Sequence, residues 1–260
     1  MDTAFTTIDV RSSERVKPMA AGESILTLAA IGLLGILCFY GLRPHLERAG
    51  WNEYGAYLIS LSVVFLVMLA WSALAFFLEG NGTSWAAFRH RTRLKRLSWR
   101  VLAWALGLGL VMFASTLIFS PLIARAIAGG LLPLPAGIPD YINPVEQMSL
   151  AQVRAQLVAQ GVLPLIPVAL LLNILAEEIF WRGMIFPRQE LVYGHRTFLI
   201  HGGIWALSHL FQYWLLPPIL VGAVALAYVY QRTGNTWTGI LAHLLNNALP
   251  FILMFVLAGA

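Results

Sequence analysis

Long apolar runs alternate with short polar segments along the whole chain. The runs cover residues 24–43, 54–79, 98–128, 162–186, 197–216, 217–231 and 235–258. A helix that spans a bilayer needs about 20 mostly apolar residues, so the longer runs each predict one transmembrane helix. Pro217 and Pro218 interrupt the stretch 197–231, which forms either two helices or one kinked helix. The pattern predicts an all-α, polytopic membrane bundle of about seven transmembrane helices, or eight.

Composition narrows the class of protein. Hydrophobic residues make up 59% of the 260 residues and charged residues only 11%. This lies outside the range of soluble globular domains and indicates a multi-pass protein of the cell membrane, with the lipid bilayer as its surroundings. The single cysteine, Cys38, lies in the first apolar run, which excludes an internal disulfide and a thiolate metal cluster.

The basic residues predict the orientation of the bundle. The run "RHRTRLKRLSWR", residues 89–100, holds six of the seventeen Lys and Arg residues. By the positive-inside rule the loop 80–100 is cytoplasmic, as is the polar tail 1–22, whereas loops 44–53 and 129–160 face outside. Positive charge beside a membrane span is usually a topology signal, so the net charge of +5 does not indicate nucleic-acid binding.

The loop 129–160 contains one element of its own. It opens with "GGLLPLPAGIPDYINP", which is too rich in Gly and Pro for a continuous helix. Further on, Ser149 and Gln152 have the spacing of a capping box, and Leu150, Val153 and Leu157 share one stripe. These features predict a short amphipathic helix on the outer surface. It serves either as a connector or as a lid over a membrane cavity.

The segment "NILAEEIFWRG", residues 173–183, places two adjacent glutamates inside an apolar run. A charged side chain at the centre of a membrane helix costs roughly 2.5–3.5 kcal/mol, so both carboxylates face the protein interior or a wet cavity. Glu178 and Arg182 are four residues apart and pair on one helix face. Glu177 points about 100° away, toward the face of Asn173, and has no cation there. An unpaired carboxyl group in an apolar environment is a candidate general base.

Two further segments carry inward-facing polar side chains. In "HGGIWALSHLFQY", His209 shares a helix face with Trp205 and, one turn on, with Tyr213. In "GILAHLLNNALP", His243 and Asn247 share a face, whereas the asparagine before Asn247 is rotated away. Interior histidines and asparagines often only cross-link helices. Three spans that each present such groups nevertheless favour one shared site.

The combined side chains favour hydrolytic chemistry. A carboxylate, two imidazoles and an amide can activate a water molecule and stabilise an oxyanion, which are the two needs of attack on a peptide carbonyl. The residues therefore predict a hydrolase without a metal or other cofactor. The alternative is a zinc site with Glu177, His209 and His243 as ligands and water in the fourth position. The sequence has no HExxH motif, the strong helical signal for zinc, so the metal-free interpretation is preferred.

Three motifs occur in order on successive predicted helices. They are EExxxR as "EEIFWR" (177–182), an aromatic residue four positions before histidine as "WALSH" (205–209), and HxxxN as "HLLNN" (243–247). This order and spacing resemble the CAAX protease and bacteriocin-processing family (CPBP, or Abi) of intramembrane proteases, related to the type II CAAX prenyl endopeptidases. The resemblance covers residues from about 160 to 258. Trp205 stands where the family usually has phenylalanine, which keeps an aromatic wall.

The resemblance implies a role for each matching position. Glu177 would activate the attacking water, which His209 would help to hold. His243 and Asn247 would steady the oxyanion of the tetrahedral intermediate. The supporting ion pair would be Glu178 and Arg182, and the candidate cavity-lining residues are Asn173, Trp205 and Tyr213.

These expectations divide the chain into a cytoplasmic tail 1–22, an N-terminal transmembrane region 23–160 and a CPBP-like catalytic core 161–258. The predicted function is that of an intramembrane endopeptidase that acts on a peptide or protein substrate. Cleavage is expected at or near the cytoplasmic membrane surface, toward which the span with Glu177 ends. Eukaryotic members of the family cleave prenylated CAAX proteins, whereas bacterial relatives are linked to peptide maturation and bacteriocin immunity. The substrate and the oligomeric state therefore stay open.

Three alternatives use the same residues. One is a zinc-dependent intramembrane protease. Another is a proton-coupled transporter that uses the buried carboxylates as a relay. The third is a non-catalytic membrane scaffold that binds a partner protein. The sequence lacks the inverted repeat that many transporters carry, and the intact motifs count against an idle scaffold.

Overall fold

The computed structural model describes residues 16–257 except 136, 146 and 147. Within these residues the chain is helical and contains no strand, which confirms the predicted all-α class. Most of the predicted tail 1–22 lies outside the described residues. The helices are α1 (Ala21–Arg48), α2 (Glu53–Leu78), α3 (Trp85–Arg91), α4 (Trp99–Ala128), α5 (Leu150–Ala159), α6 (166–193), α7 (Thr197–Leu207), α8 (Leu216–Thr233) and α9 (Thr236–Leu257).

The described part of the chain has five segments that are long and apolar enough to cross a membrane. They are α1, α2, α4, the segment Leu163–Leu207 and the segment Leu210–Thr233. The protein is therefore a multi-pass helical bundle, but the predicted count of seven or eight spans is not confirmed. Helix α7 has only 11 residues, so at about 1.5 Å per residue it covers roughly half the bilayer core. Pro217 and Pro218 occupy the first turn of α8, so the stretch 197–231 forms two helices.

Loops gather at two ends of the bundle. At one end, here called the basic end, Arg93 Nη2 lies 2.8 Å from Glu190 Oε2. The Thr236 amide donates to the Arg93 carbonyl at 3.0 Å, and the Met19 amide donates to the Arg188 carbonyl at 3.0 Å. The segment before α1, the basic loop, the α6–α7 loop and the α8–α9 loop thus lie together.

The opposite end joins the loops 44–53 and 129–160. Asn52 Nδ2 donates to the Gln160 carbonyl at 3.1 Å, and Arg43 Nη2 donates to the Gly137 carbonyl at 2.7 Å. The grouping of loops therefore agrees with the alternation that the sequence predicts. The assignment of the basic end to the cytoplasm stays a prediction from the positive-inside rule.

The amphipathic helix α5 forms as predicted. The Ser149 hydroxyl accepts from the Gln152 amide at 3.3 Å and Gln152 Oε1 accepts from the Ser149 amide at 2.8 Å, which confirms the capping box. Leu157 is buried in one apolar cluster with Tyr54 of α2. The Tyr54 hydroxyl also donates to Gln156 Oε1 at 3.1 Å. Helix α5 is therefore packed against α2 at the opposite end.

Helix α6 changes its winding at the centre. Residues Glu178–Ile185 form a π-helix between two α-helical halves. Such segments are rare and frequently mark functional sites. The wider turn leaves backbone groups to be paired from outside the helix, and the Tyr230 hydroxyl donates to the Arg182 carbonyl at 2.7 Å. The same π segment carries the side chains of Glu178 and Arg182.

Glycines let the helices around α6 pack closely. A Cβ atom at Gly202 of α7 would lie 2.7 Å from the Val224 Cα of α8, so these two helices touch through backbone. A Cβ atom at Gly109 of α4 would lie 2.6 Å from Leu245 Cδ2 of α9. Short interaxial contacts of this kind are typical of membrane bundles, where small residues rather than apolar burial drive association. They bring α7 against α8 and α4 against α9.

Candidate active site

Glu177 lies deep in the bundle. It is the twelfth residue of α6, so it stands about 17 Å from the beginning of that helix. The Asn173 amide donates to its Oε1 at 2.8 Å and the Trp205 indole N–H donates to its Oε2 at 3.0 Å. Among the described residues, no cation forms an ion pair with it. The carboxylate is thus held by two neutral donors, one from its own helix and one from α7.

Glu178 has different partners from its neighbour. Its Oε1 lies 3.3 Å from Arg182 Nη1, which places the ion pair where the spacing of four residues predicts it. The His243 Nδ1–H donates to the same oxygen at 3.2 Å. The side chains of Glu178 and Arg182 have no exposed surface. Glu178 therefore connects α6 to α9 inside the protein.

Trp205 contacts both Glu177 and Arg182, the ion-pair partner of Glu178. The Arg182 Cζ lies 3.9 Å from the centroid of its ring, a close cation–π contact. Its N–H binds Glu177 as described above, and the ring meets those of His209 and His243 edge to face at 5.6 and 6.1 Å. A phenylalanine would supply the wall but not the N–H. The sequence predicts only an aromatic wall at this position, because the hydrogen bond joins residues on two different helices.

His209 follows the last turn of α7. Its Nδ1 lies 3.0 Å from the Trp205 carbonyl, which accepts only, so Nδ1 carries the proton. In the neutral ring Nε2 is then an acceptor. The same reasoning applies to His243, whose Nδ1–H faces the Glu178 carboxylate. In each histidine Nδ1 is thus bound to another group of the protein, whereas Nε2 has no hydrogen-bond partner among the described residues.

Amide side chains link α9 to α6. Asn247 Nδ2 donates to Asn173 Oδ1 at 3.0 Å, and Asn173 in turn donates to Glu177. Asn246 Nδ2 donates to Asn247 Oδ1 at 3.0 Å. The helical spacing rotates Asn246 away from Asn247, but its amide reaches around the helix, so sequence reasoning missed it. One N–H of Asn247 has no partner within this chain of amides.

Tyr213 does not join this group. Its hydroxyl donates to the Pro133 carbonyl at the opposite end, and its ring packs edge to face on Trp214. The predicted face assumes a continuous helix through residue 213, whereas Gln212 has non-helical angles, φ −127° and ψ 50°. The break turns Tyr213 aside, and Phe211 and Gln212 line the cavity instead.

A cavity of about 700 Å³ adjoins the polar cluster. The polar side chains that line it near the cluster are Asn173, Glu177, Trp205, His209, His243, Asn246 and Asn247. Its remaining walls are largely apolar and come from α1, α2, α4, α5, α6, α8 and α9. Val153 and Leu157 of α5 lie in these walls, as expected if α5 is a lid rather than a connector alone.

The cavity extends from the polar cluster to the opposite end. Tyr54, Tyr57 and Ile142 line it there, whereas none of its described lining residues belongs to the basic loop 80–100. This differs from the expected cleavage at the surface toward which α6 ends. The reason is that, among the described α6 residues that line the cavity, Trp181 alone follows Glu177 in the sequence, so the cavity lies mainly along the half of α6 that precedes Glu177.

The described residues offer no arrangement of three His, Cys, Asp or Glu side chains that could hold a metal ion. The zinc alternative requires Glu177, His209 and His243 to converge. Both oxygens of Glu177 accept from N–H groups, which are donors and compete with a cation for the same lone pairs. The side chains present therefore fit a zinc site poorly.

Comparison with known proteins gives a family for this part of the chain. Residues 159–249 match the family model described as Type II CAAX prenyl endopeptidase Rce1-like. This segment is similar to the Rce1-like family. The match confirms the resemblance predicted from the three motifs, and it contains every side chain of the polar cluster. Neither the curated proteins nor the solved structures contain a match to the chain.

The Rce1-like segment does not build the cavity alone. Helices α1, α2 and α4 precede the matched residues and contribute Ile31, Phe65, Met68 and Met112 to its walls. The N-terminal region therefore completes the site that the Rce1-like segment carries. The family indicates a membrane protease, in agreement with the hydrolytic chemistry predicted from the side chains.

Gly239 allows α9 to approach Glu178. A Cβ atom at this position would lie 2.1 Å from Glu178 Oε2 and 2.9 Å from its Cδ, with no room for the carboxylate to retreat because it is fully buried. We expect Gly239→Ala to lower the free energy of unfolding by about 1–3 kcal/mol, the usual cost of overpacking. Denaturant unfolding of the purified protein in detergent measures this.

Gly107→Ala is the matched control, since a Cβ atom at Gly107 in α4 meets nothing within 4 Å. Alanine in an open helical position stabilises by up to about 1 kcal/mol over glycine. Equal stability of the two variants would contradict the close approach of α9 to Glu178.

Proposed function

We propose that this protein is an intramembrane endopeptidase in which Glu177 activates a water molecule against a peptide carbonyl. The observation that carries the proposal is the setting of Glu177, a buried carboxylate at the wall of a large cavity, held by neutral donors. A carboxylate so placed can take a proton from water and pass it on. The Rce1-like match supports the assignment to proteases.

His209 is the proposed second holder of the water. It lines the cavity, and its Nδ1–H is engaged by the Trp205 carbonyl, which leaves Nε2 as the acceptor. A water molecule between Glu177 and His209 would meet two acceptors at once. Its oxygen lone pair is then directed away from them and toward the carbonyl carbon of the substrate.

His243 and Asn247 are the proposed oxyanion donors. Asn247 uses one N–H on Asn173 and keeps the other for the substrate oxygen. The Glu178 carboxylate accepts from His243 Nδ1–H and fixes the orientation of the ring, and the proposed donor to the oxyanion is Nε2–H of the ring in its protonated form. Donors that are fixed before the reaction are the largest single source of stabilisation for a developing oxyanion.

The reaction follows from these positions. The water oxygen bonds to the carbonyl carbon while its proton passes to Glu177, and the carbonyl oxygen becomes the oxyanion near His243 and Asn247. When the carbonyl reforms, the C–N bond breaks and the proton on Glu177 passes to the leaving amine. The carboxylate returns to its starting state, and no covalent enzyme intermediate forms.

The walls of the cavity suggest the class of substrate. Its volume of about 700 Å³ lies within the usual range of binding sites, and its lining beyond the polar cluster is mostly apolar. We propose a peptide that carries an apolar segment or an isoprenoid group, the latter because the matched family is named for prenyl endopeptidases. Helix α5 covers the end of the cavity through which such a substrate enters.

Glu177→Gln tests the role of the carboxylate. The change keeps the shape and removes the base, so cleavage of a fluorogenic farnesylated CAAX peptide should fall by at least about 100-fold. Thermal stability should fall only modestly, since no ion pair is lost, although the glutamine NH2 group then faces one of the two N–H donors that hold Glu177. Glu178→Gln and Arg182→Ala, by contrast, should also lower stability because each leaves a buried charge without its partner.

Parental cleavage by Glu177→Gln would exclude the mechanism. If the wild type cleaves neither the farnesylated peptide nor its unprenylated form but conducts protons in liposomes, the transporter alternative would replace the protease.

Metal dependence separates the two protease mechanisms. We expect cleavage to survive prolonged dialysis against a strong chelator, because no described group of side chains is arranged to hold zinc. Metal analysis of the same preparation should find less than one zinc ion per chain. Loss of activity on chelation and its return with added zinc would favour the zinc-dependent alternative instead.

Filling the cavity tests where the substrate binds. Ala169 of α6 lines the cavity, and tryptophan there should raise the KM for the farnesylated peptide by about tenfold or more, since a bulky side chain occupies substrate space. The adjacent Val168 is 65% exposed and absent from the lining, so Val168→Trp is the matched control. An unchanged KM in folded Ala169→Trp would place the binding site elsewhere.

A further inference from the structure

The basic loop does more than carry charge beside the membrane. Arg91, in its middle, is only 6% exposed. Its Nη1 donates to the Gly183 carbonyl at 2.7 Å and its Nη2 donates to the Met184 carbonyl at 3.3 Å. A charge that sets membrane topology needs only to lie at the surface. The Arg91 guanidinium is instead buried, and it reaches from the end of α3 to carbonyls of the π segment of α6.

Glu79 holds the Arg91 side chain in that orientation. Its two carboxylate oxygens accept from Arg91 Nε at 2.5 Å and from Nη2 at 2.7 Å, which is a bidentate pair. Such a pair fixes the plane of the guanidinium as well as neutralising its charge. Lysine would keep the charge but would lose this fixed fork.

The carbonyls that Arg91 binds belong to the π segment of α6. Three successive carbonyls, those of Arg182, Gly183 and Met184, accept hydrogen bonds from side chains outside the helix. Tyr230 donates to the first and Arg91 to the other two. Gly183 also allows the loop to approach, since a Cβ atom there would lie 3.1 Å from Thr92 Cβ. The unusual winding that carries the site is therefore stabilised from the basic end.

The same loop binds the beginning of α9. The Asn235 amide donates to the Arg96 carbonyl at 3.1 Å and its Oδ1 accepts from the Lys95 amide at 3.3 Å. The Thr236 amide donates to the Arg93 carbonyl at 3.0 Å. Helix α9 carries the candidate oxyanion residues two to three turns further on. One short stretch, 91–96, thus contacts two of the three helices whose side chains form the site, α6 and α9.

We propose that residues 91–96 form a clamp that sets the position of the π segment of α6 against α9, with Arg91 as the positioning residue. The contacts of the clamp are structural, whereas its role in aligning Glu177 and Glu178 with His243 and Asn247 rests on the proposed function. Arg91 is absent from the described lining of the cavity, so it acts on the geometry of the reacting groups rather than on substrate binding.

Hydrogen exchange tests the clamp without any substrate. In Arg91→Ala, amides within 178–190 should exchange faster than in the wild type, because the carbonyl contacts that order the π segment are gone. Arg91→Lys should fall between the two. Arg100→Ala is the matched control, since it removes one positive charge from the same run but its side chain is exposed.

Cleavage of the farnesylated peptide tests the positioning role. A misplacement of about 1 Å at reacting groups costs roughly 100-fold in rate, so kcat should fall by about that factor in Arg91→Ala while KM stays within about twofold. Partial recovery of kcat in Arg91→Lys is expected. Arg100→Ala should match the wild type in both parameters.

The two readouts separate the possible failures. Unchanged exchange within 178–190 in both Arg91 variants would overturn the clamp, and faster exchange with an unchanged kcat would overturn the positioning role. If the wild type does not cleave the peptide, the proposed function fails, while faster exchange confined to 178–190 would still support the clamp. Should Arg91→Ala fail to fold, Arg91→Lys carries both tests.

Discussion

Two adjacent carboxylates buried in an apolar bundle are the constraint on which the site depends. A buried charge without compensation costs several kcal/mol in the membrane interior. Glu178 is compensated by Arg182 and His243, and Glu177 by the N–H groups of Asn173 and Trp205. Since these partners come from three helices, satisfying the carboxylates fixes α6, α7 and α9 against one another.

The winding of α6 reflects the same constraint. In a regular α-helix each carbonyl points along the axis and accepts from the N–H four residues on, whereas in the π segment the carbonyls of Arg182, Gly183 and Met184 accept from donors outside the helix. Tyr230 and Arg91 supply these donors from α8 and α3. The π segment is therefore ordered by elements that lie on both sides of it in the sequence, and not by its own helix propensity.

Helical spacing predicts those features that depend on one helix alone. The Glu178–Arg182 pair, the capping box of α5 and the break at the two prolines are all of this kind. The spacing fails where the helix does, since Gln212 ends the regular path before Tyr213. It is also silent on contacts between distant segments, such as Arg91 with Gly183 or the Trp205 N–H with Glu177. No local pattern separates these residues from ordinary surface arginine or core tryptophan, because the partner lies on another helix.

The different partners of the two glutamates favour Glu177 as the proposed base. Glu178 forms an ion pair with the fully buried Arg182 guanidinium, and removing one partner of a buried pair costs about 3–5 kcal/mol. Glu177 forms no ion pair among the described residues and is held by the neutral N–H groups of Asn173 and Trp205. Glu177 can therefore act on a water molecule without breaking an ion pair. The adjacent position of the two groups then has a physical reason, since the ion pair orders the segment while Glu177 lines the cavity.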